Sequence, residues 1–387
     1  MDITIHPGKL FGTLTAPPSK SIVHRVLICA AFADNSTTLL CSETNDDVEA
    51  TADCLEALGA QILRTHTGYF VTPAKNIPNS VYINCKESGS TLRFLLPVIG
   101  ALGVKATIKM EGRLPQRPLS PLWEEMERMG CNLFRPTANT ILCAGKLRPG
   151  VYQMSGSVSS QFITGFMLAF MLMDEHSTLT IQDIPTSSPY LDITRYVGNI
   201  FGKELHSPGS IHIEGDWSSA AFWLAANALG SSITVDGLND HSAQGDKAVA
   251  FWVPKLKQNV TISAKDIPDL IPILSVVAAA NNGAVFTDIE RLRLKESDRV
   301  AAIVAMLTNL GGKAETTENT LTVYGTGLTG GTVSSFHDHR IAMAAAIAAT
   351  VCKEQVTILG AECVKKSYPK FWDEYARLGG KHEEQLW

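Results

Sequence analysis

The chain has 387 residues, with 33 Lys and Arg against 38 Asp and Glu, which gives a formal net charge of −5 at pH 7. This balance excludes a protein drawn as a whole to nucleic acid or to an anionic membrane, so any anion site has to be a local cluster. Hydrophobic residues make up 45% of the sequence, as is typical of globular proteins. The length exceeds that of one ordinary domain. No apolar run approaches the roughly 18 residues of a membrane span, and we expect a cytoplasmic protein without nucleic-acid or membrane partners.

Metal and nucleotide motifs are absent from the sequence. The eight cysteines are scattered without a CxxC pair, which predicts reduced and buried thiols. The histidines of "HDH" (337–339) have no further ligand at a suitable spacing, so we expect no metal. "GTGLTG" (325–330) does not lead into a helix, and there is no P-loop. We therefore expect no cofactor.

One pattern recurs six times along the chain: a strand, a small or polar turn, and a helix that is apolar almost all round. Such helices belong inside a core. Amphipathic helices are predicted between them, at 46–59, 120–130 and 297–312. Six units divide into three plus three, which predicts two α/β domains. In chain order the turns are APPSKS (16–21), ESGST (87–91), SGSVSSQF (155–162), EGDWSSAAF (214–222), KDIPDL (265–270) and FHDHRIAM (336–343).

The starts of these buried helices carry hydrogen-bond donors. Each helix start offers unpaired backbone N–H groups and the positive end of a dipole, and such ends bind anions. Ser and Asp in the turns are also ordinary N-caps, so simple capping is the alternative. Capping does not explain the cations and the amide that the same turns carry. These are Lys20, Arg25, Gln161, His339 and Arg340.

"RLRLKESDR" (291–299) is the most informative stretch of the sequence. Read as a strand, its alternation places Arg291, Arg293 and Lys295 on one face. Glu296 follows among these cations and is a candidate general acid or base. The alternative is a surface ladder of salt bridges.

Two further carboxylates and one loop complete the evidence from the residues themselves. Asp269 and Asp338 stand at helix starts, where an N-cap role would suffice. Arg113 and Arg117 lie in a proline-stiffened loop suited to gripping a phosphate or a carboxylate. The residues alone therefore predict a two-domain α/β protein. Its cationic interdomain cleft would bind a polyanion and move protons with carboxylates.

The ordered set of motifs resembles the 5-enolpyruvylshikimate-3-phosphate synthase family from about residue 8 to residue 372. Each motif alone is weak, but the ordered set is specific. The motifs are PPSKSIVHR (17–25), SGSTLR (88–93), QRPL (116–119), GSVSSQF (156–162), SSPYLDIT (187–194), EGDWSSAAF (214–222), QGD (244–246), IPDL (267–270), LKESDR (294–299), DHRIAM (338–343) and KKSYP (365–369).

The resemblance implies an inside-out α/β barrel fold of two domains, each with three βαβαββ repeats. Residues 1–18 and 215–387 would form the first domain and residues 19–214 the second. The chain would cross between them near 16–20 and 214–218, with the site between the domains. The resemblance also implies a monomer.

The implied reaction transfers the enolpyruvyl group of phosphoenolpyruvate to the 5-hydroxyl of shikimate 3-phosphate and releases phosphate, in the shikimate pathway to chorismate. A C–O bond breaks and phosphorus is not attacked, so the metal that kinases need is not required. Glyphosate, which mimics phosphoenolpyruvate in this family, is expected to inhibit, because Gly89 keeps the space it occupies open.

Site residues follow from matching positions in the resemblance. The implied catalytic residues are Asp269, Glu296, Lys295 and Lys20. The division of proton transfers among the first three stays open. The implied shikimate 3-phosphate ligands are Lys20, Ser21, Arg25, Ser159, Ser160, Gln161, Ser187, Tyr190, Asp269 and Lys295. The implied phosphoenolpyruvate ligands are Lys20, Gly89, Arg117, Gln161, Arg299, His339, Arg340 and Lys366.

Three positions depart from the family pattern, and three rival functions remain. Arg291 and Glu87 stand where many members carry Asn, and Phe94 stands where some carry Pro. The nearest rival is the enzyme that transfers enolpyruvyl to UDP-N-acetylglucosamine, whose loop corresponding to 112–119 usually carries a cysteine that this chain lacks. A non-catalytic anion-binding protein on the same scaffold is the second rival. An RNA-end-processing enzyme is a more distant one, for which no basic stripe is present.

Overall fold

The structure is a computed structural model that describes residues 1–183 and 186–385. The strands are β1 Asp2–His6, β2 Phe11–Thr15, β3 Thr37–Leu40, β4 Gln61–Thr65, β5 Gly68–Thr72, β6 Ser80–Asn84, β7 Lys105–Lys109, β8 Cys131–Thr137, β9 Thr140–Gly145, β10 Val151–Met154, β11 Thr178–Ile181, β12 Ser210–His212, β13 Ser232–Asp236, β14 Val260–Ser263, β15 Ala284–Thr287, β16 Lys313–Thr316, β17 Thr320–Tyr324, β18 Gly331–Ser334, β19 Val356–Leu359 and β20 Lys381–Gln385. The helices are α1 Lys20–Ala31, α2 Asp46–Ala57, α3 Gly89–Leu102, α4 Leu122–Arg128, α5 Ser160–Phe170, α6 Pro189–Phe201, α7 Trp217–Ala228, α8 Val249–Lys255, α9 Ile271–Ala280, α10 Arg299–Asn309, α11 His339–Ala349 and α12 Phe371–Arg377. No helix in these described ranges is long and apolar enough to cross a membrane.

The chain divides into two compact units. The first unit consists of Met1–Pro17 and Glu214–Trp387, and the second unit of Pro18–Ile213. Each unit is described by itself below.

The second unit contains the repeated βαβαββ pattern that the sequence predicts. Strand β6 runs parallel to β7 across the crossover helix α3, and β8 and β9 then close the sheet as an antiparallel hairpin, in the order β6-β7-β9-β8. The sheet β12-β3-β5-β4 has the same plan, with β12 from the end of the unit beside β3. Among the described residues the third repeat has a two-stranded sheet, β10-β11, rather than four strands.

The first unit has the same three-part plan. Its sheets are β14-β15-β17-β16 and β18-β19-β1-β20, and the third repeat again has only two paired strands in the described ranges, β13 and β2. The N-terminal segment therefore supplies one strand to each of two repeats. Parallel pairs need a crossover, which the helices provide, so the α/β pattern read from the sequence is the pattern of the fold.

The six predicted turns do begin helices that are buried over most of their length, namely α1, α3, α5, α7, α9 and α11. Four of these helices have a side-chain N-cap: Ser88, Ser159, Asp216 and Asp338 accept from backbone N–H groups of the first turn. The capping interpretation is therefore correct for these four. It is wrong for Asp269, because α9 begins after Leu270 and has no side-chain cap.

The prediction that residues 291–295 form a strand is wrong. Glu290–Leu294 is a 3₁₀ helix, so the three cations do not share one strand face. Arg293 turns to the backbone carbonyl of Thr317, 3.1 Å away, whereas Lys295 turns toward Asp269. A strand would place Leu292 and Leu294 on the same face. In the 3₁₀ helix they lie in different surroundings, since Leu292 is buried and Leu294 is 47% exposed.

Candidate functional site

Arg299 organises an ion cluster in the first unit. It is the first residue of α10, is 1% exposed, and contacts three carboxylates. Its Nη1 donates to Asp269 at 2.6 Å, its Nη2 to Glu296 at 2.7 Å, and its Nε to Asp338 at 2.8 Å. A buried guanidinium that holds three acids at once fixes their mutual positions, because its donors form a rigid planar fork.

Asp269 is also held by two further cations. Arg340 Nη2 donates to Asp269 Oδ2 at 3.0 Å, and Lys295 Nζ lies 3.5 Å from Oδ1. Burial alone would raise the pKa of the Asp269 carboxyl, but the charges of Arg340, Lys295 and Arg299 together hold that pKa well below its usual range. Asp269 is therefore an ionised acceptor of hydrogen bonds and a poor acceptor of protons.

The environment of Lys295 favours its neutral form, whereas that of Asp269 favours the charged form. Burial lowers the pKa of its ammonium group to about 8, although the charge of Asp269 opposes that change. A lysine with such a pKa has a substantial neutral fraction near pH 7–8 and can take up a proton.

Asp338 does more than cap its helix. It is fully buried, accepts from the backbone N–H of Arg340 at 3.0 Å and from the Ser297 hydroxyl at 3.0 Å, and is the third partner of Arg299. The sequence suggested only the capping role, because its ion partner stands 39 positions earlier in the chain.

Carboxylates and basic side chains are equal in number in this cluster. Three carboxylates (Asp269, Glu296 and Asp338) face three cations (Lys295, Arg299 and Arg340). An anion that binds here has to compete with carboxylates for the arginines.

A further carboxyl group, Asp246, lies beside the cluster in a 3₁₀ turn, Gly245–Ala248. It is 3% exposed, and the Ser218 hydroxyl donates to its Oδ2. Among the described residues none donates to its Oδ1. Burial first and the charge of Asp269 second raise the pKa of Asp246 to about 7. The motif "QGD" contains this residue, but the sequence indicated no role for it.

Asp246→Asn is expected to stabilise the fold increasingly as pH rises. An unfolded Asp ionises near pH 4, whereas folded Asp246 keeps its proton up to about pH 7, so the native fold loses stability as pH rises between these two values. Asn mimics the protonated acid and has no such loss. Urea unfolding at pH 5 and pH 8 measures the effect, with the exposed Asp240→Asn as the control. A stability difference from the native chain that is equal at both pH values would contradict the raised pKa.

Arg25 is the central cation of the second unit. It is 2% exposed and donates to neutral acceptors: Thr194 Oγ1 at 2.8 Å, Tyr190 O at 3.0 Å and Ser21 O at 2.6 Å. Its guanidinium carbon lies 4.8 Å from the centre of the Phe94 ring. Among the described residues no carboxylate pairs with it, and burial lowers its pKa to about 9. A buried cation without a counter-ion favours an anionic ligand.

Three other predicted residues gather at the start of α3. Gly89 is the first residue of this helix, and a Cβ added there would lie 2.7 Å from Arg117 Nη1. Gln161, at the start of α5, donates from Nε2 to Ser90 at 3.0 Å and accepts from Arg93 Nη1 at 2.7 Å. The structure thus brings Gly89, Arg117 and Gln161 together. It adds Arg93, for which the sequence suggested no role.

The remaining predicted residues lie in one unit or the other. Lys20 pairs with Asp47 at 2.8 Å. Ser187 is 2% exposed and has a left-handed φ of 58°, a conformation that is uncommon for residues other than glycine. The second unit carries Lys20, Ser21, Arg25, Gly89, Arg117, Ser159, Ser160, Gln161, Ser187 and Tyr190, and the first unit carries Asp269, Lys295, Glu296, Arg299, His339, Arg340 and Lys366. Within residues 1–183 and 186–385 no group of three or more His, Cys, Asp or Glu side chains could hold a metal ion.

Comparison with known proteins gives one consistent family. The sequence profile of the EPSP synthase (3-phosphoshikimate 1-carboxyvinyltransferase) family matches residues 5–375. The 3-phosphoshikimate 1-carboxyvinyltransferase of Clostridium kluyveri is 35% identical over 423 residues, covering 99% of this chain and 98% of the relative. That of Clostridium beijerinckii is 35% identical over 428 residues, with the same coverage.

Solved structures show the same fold. An EPSP synthase from Acinetobacter baumannii superposes with a TM-score of 0.81 at 20% identity, covering 100% of both chains. The enolpyruvyl transferase NikO from Streptomyces tendae superposes with a TM-score of 0.75 at 14% identity, covering 99% of this chain and 98% of NikO. The predicted fold class is thereby confirmed.

Proposed function

The chain belongs to the EPSP synthase (3-phosphoshikimate 1-carboxyvinyltransferase) family. We propose that the ion cluster around Arg299 and the residues around Arg25 carry the reaction of that family. The enzyme transfers the enolpyruvyl group of phosphoenolpyruvate to shikimate 3-phosphate, with release of phosphate. The observation that supports the catalytic assignment most strongly is Arg299, which holds Asp269 and Glu296 within 2.7 Å of one guanidinium, with Lys295 beside them.

Arg25 and its neighbours bind the phosphate of shikimate 3-phosphate in this proposal. Its partners are hydroxyl and carbonyl oxygens, so the charge of Arg25 is not cancelled and is available to an anion. Ser159 and Ser160 stand at the start of α5, where backbone N–H groups add to the attraction. Ser187 and Tyr190 belong to the same pocket by resemblance.

The first-unit cluster performs the two proton transfers in this proposal. Asp269 accepts a hydrogen bond from the 5-hydroxyl of shikimate 3-phosphate and orients it. Lys295 in its neutral form takes the proton, because its pKa of about 8 lies near neutrality whereas the pKa of Asp269 is well below its usual range. Glu296, in its protonated form, delivers a proton to the methylene carbon of phosphoenolpyruvate while the hydroxyl oxygen bonds to the adjacent carbon, which gives a tetrahedral adduct. The Glu296 carboxylate then takes a proton back from the new methyl group as the C–O bond to phosphate breaks, which gives the enolpyruvyl product and free phosphate. Arg299 and Arg340 hold the anionic groups of phosphoenolpyruvate, in competition with the carboxylates that they contact here.

Phosphate release tests the function directly. The protein is incubated with phosphoenolpyruvate and either shikimate 3-phosphate or UDP-N-acetylglucosamine, without added metal. Release with shikimate 3-phosphate alone is the expected result. Release with the sugar nucleotide alone would replace the proposed acceptor, and release with neither from folded protein would favour a non-catalytic anion-binding protein. Monomeric state, cytoplasmic location and inhibition by glyphosate stay predictions.

Arg117→Ala is expected to raise the KM for phosphoenolpyruvate by about 10-fold or more, and the KM for shikimate 3-phosphate by less. Hydrogen bonds to charged groups are the strong ones, and the resemblance assigns this guanidinium to phosphoenolpyruvate. Steady-state kinetics with each substrate varied in turn measure both constants. Arg113→Ala, an exposed arginine in the same loop, is the matched control and should change neither KM. A larger increase for shikimate 3-phosphate would assign the loop to the other ligand.

A further inference from the structure

Arg93 links three parts of the second unit. It stands four residues after Gly89, on the same face of α3, and is 4% exposed. Nη1 donates to Gln161 Oε1 at 2.7 Å and Nη2 donates to Pro118 O at 3.1 Å. Its guanidinium carbon lies 5.4 Å from the centre of the Phe162 ring. One side chain therefore connects α3, α5 and the loop that carries Arg117.

The hydrogen bond to Gln161 determines the orientation of an amide. A guanidinium only donates, so the oxygen of the Gln161 amide has to face Arg93. Its nitrogen then points to Ser90 Oγ, 3.0 Å away. Without Arg93 the amide could rotate by 180°, which would exchange the donor and the acceptor that it offers to a ligand.

The hydrogen bond to Pro118 restrains the neighbouring arginine. Pro118 directly follows Arg117, whose Nη1 comes within 2.7 Å of the position of a Cβ on Gly89. Arg93 Nη1 lies 3.3 Å from the same position. The two guanidinium groups thus lie side by side at the start of α3, and Arg93 fixes the loop backbone at the residue next to Arg117.

We propose that Arg93 is a positioning residue that orients the Gln161 amide and the Arg117 loop for binding of phosphoenolpyruvate and shikimate 3-phosphate. This inference rests on the proposed function. Arg93 acts through two residues with assigned ligand roles, so its loss should appear mainly in substrate binding rather than in the chemical step. The signature is a rise in KM with a smaller change in kcat.

Arg93→Met and Arg93→Lys test the proposal. Both KM values should rise by about 10-fold in Arg93→Met, while kcat changes by less. Lysine keeps the charge but lacks the planar fork that bridges two acceptors, so Arg93→Lys should recover stability to urea without recovering KM. Arg135→Met is the matched control, because Arg135 is exposed and donates to Pro115 O in the same loop at 2.9 Å. It should leave both KM values within about twofold.

A double-mutant cycle identifies the route of the effect. If Arg93 acts through Gln161, Arg93→Met should cost much less in a Gln161→Ala background than in the native chain. Fully additive effects, or an Arg93→Met variant that folds and keeps both native KM values, would overturn the proposal. A native protein that releases no phosphate with shikimate 3-phosphate would instead refute the proposed function, so the two failures are distinguishable.

Discussion

Asp269→Asn is expected to lower kcat by about 10²-fold or more, the order of loss when a reacting group is no longer held in its productive position. The amide keeps the size of the carboxylate but loses its charge, and its NH₂ group has to face donors of Arg299 or Arg340. The substrate hydroxyl then loses the ionised acceptor that orients it. Rapid-quench measurement of phosphate release gives the rate of the chemical step.

The same substitution should also destabilise the fold by about 3–5 kcal/mol, since it leaves buried cations without their counter-charge. The low pKa of Asp269 means that its stabilising effect is present at neutral pH and is lost as the solution becomes acidic. Urea unfolding at pH 7 measures the difference. Asp266→Asn, three residues earlier in the same loop, is the control for removing a carboxylate from this segment. A folded Asp269→Asn protein with kcat within threefold of the native value would remove this residue from the mechanism.

Lys295 makes the pH dependence of that variant informative. In the native enzyme kcat/KM should rise with pH toward the pKa of about 8, because the neutral amine is the proton acceptor. The charge of Asp269 raises this pKa, so its removal in Asp269→Asn should shift the rising limb of the residual activity to lower pH. A limb that does not move would indicate that Lys295 is not the group that titrates.

The buried helices could be predicted from the sequence because their signals are local. A strand, a small turn and an apolar run lie within some 20 residues of one another, as at Gly89 and His339. The capping carboxylate of Asp338 is local too, since its backbone partner is two residues away. Such patterns determine where α3 and α11 begin.

The resemblance places most residues of the ion cluster in one site, but residue spacing does not predict most of the ion pairs among them, because every pair except that of Glu296 and Arg299 joins residues that are far apart along the chain. Asp269 meets Arg299 and Arg340, 30 and 71 positions further along the chain, and no spacing indicates such pairs. The role of Arg93 is hidden in the sequence for a related reason: it stands inside an apolar helix, and its partner Gln161 is 68 positions away along the chain. The sequence pattern does not distinguish the 3₁₀ helix Glu290–Leu294 from a strand, because leucines at every second position are also typical of a strand.

Glu296→Gln separates proton delivery from binding. Gln is isosteric with Glu, and its oxygen can still accept from Arg299 Nη2, which lies 2.7 Å from Glu296 in the native chain. The variant should therefore fold and bind both substrates with constants within about threefold of native, because the contact that holds the side chain survives. It cannot deliver a proton to carbon, so turnover should fall by about 10²- to 10⁴-fold.

Solvent deuterium decides whether Glu296 has this role. In D₂O, protonation of the methylene carbon forms a methyl group that carries deuterium, and the later loss of a proton from that group leaves deuterium in the methylene group of the product. In Glu296→Gln this incorporation should slow in proportion to turnover. The exposed Glu290→Gln, in the adjacent 3₁₀ turn, is the matched control and should keep native incorporation. Incorporation at the native rate in Glu296→Gln would assign the proton to another group. Slow incorporation with intact binding would show that Arg299 positions two groups with separate functions. One is Asp269, which orients the hydroxyl, and the other is Glu296, which protonates carbon.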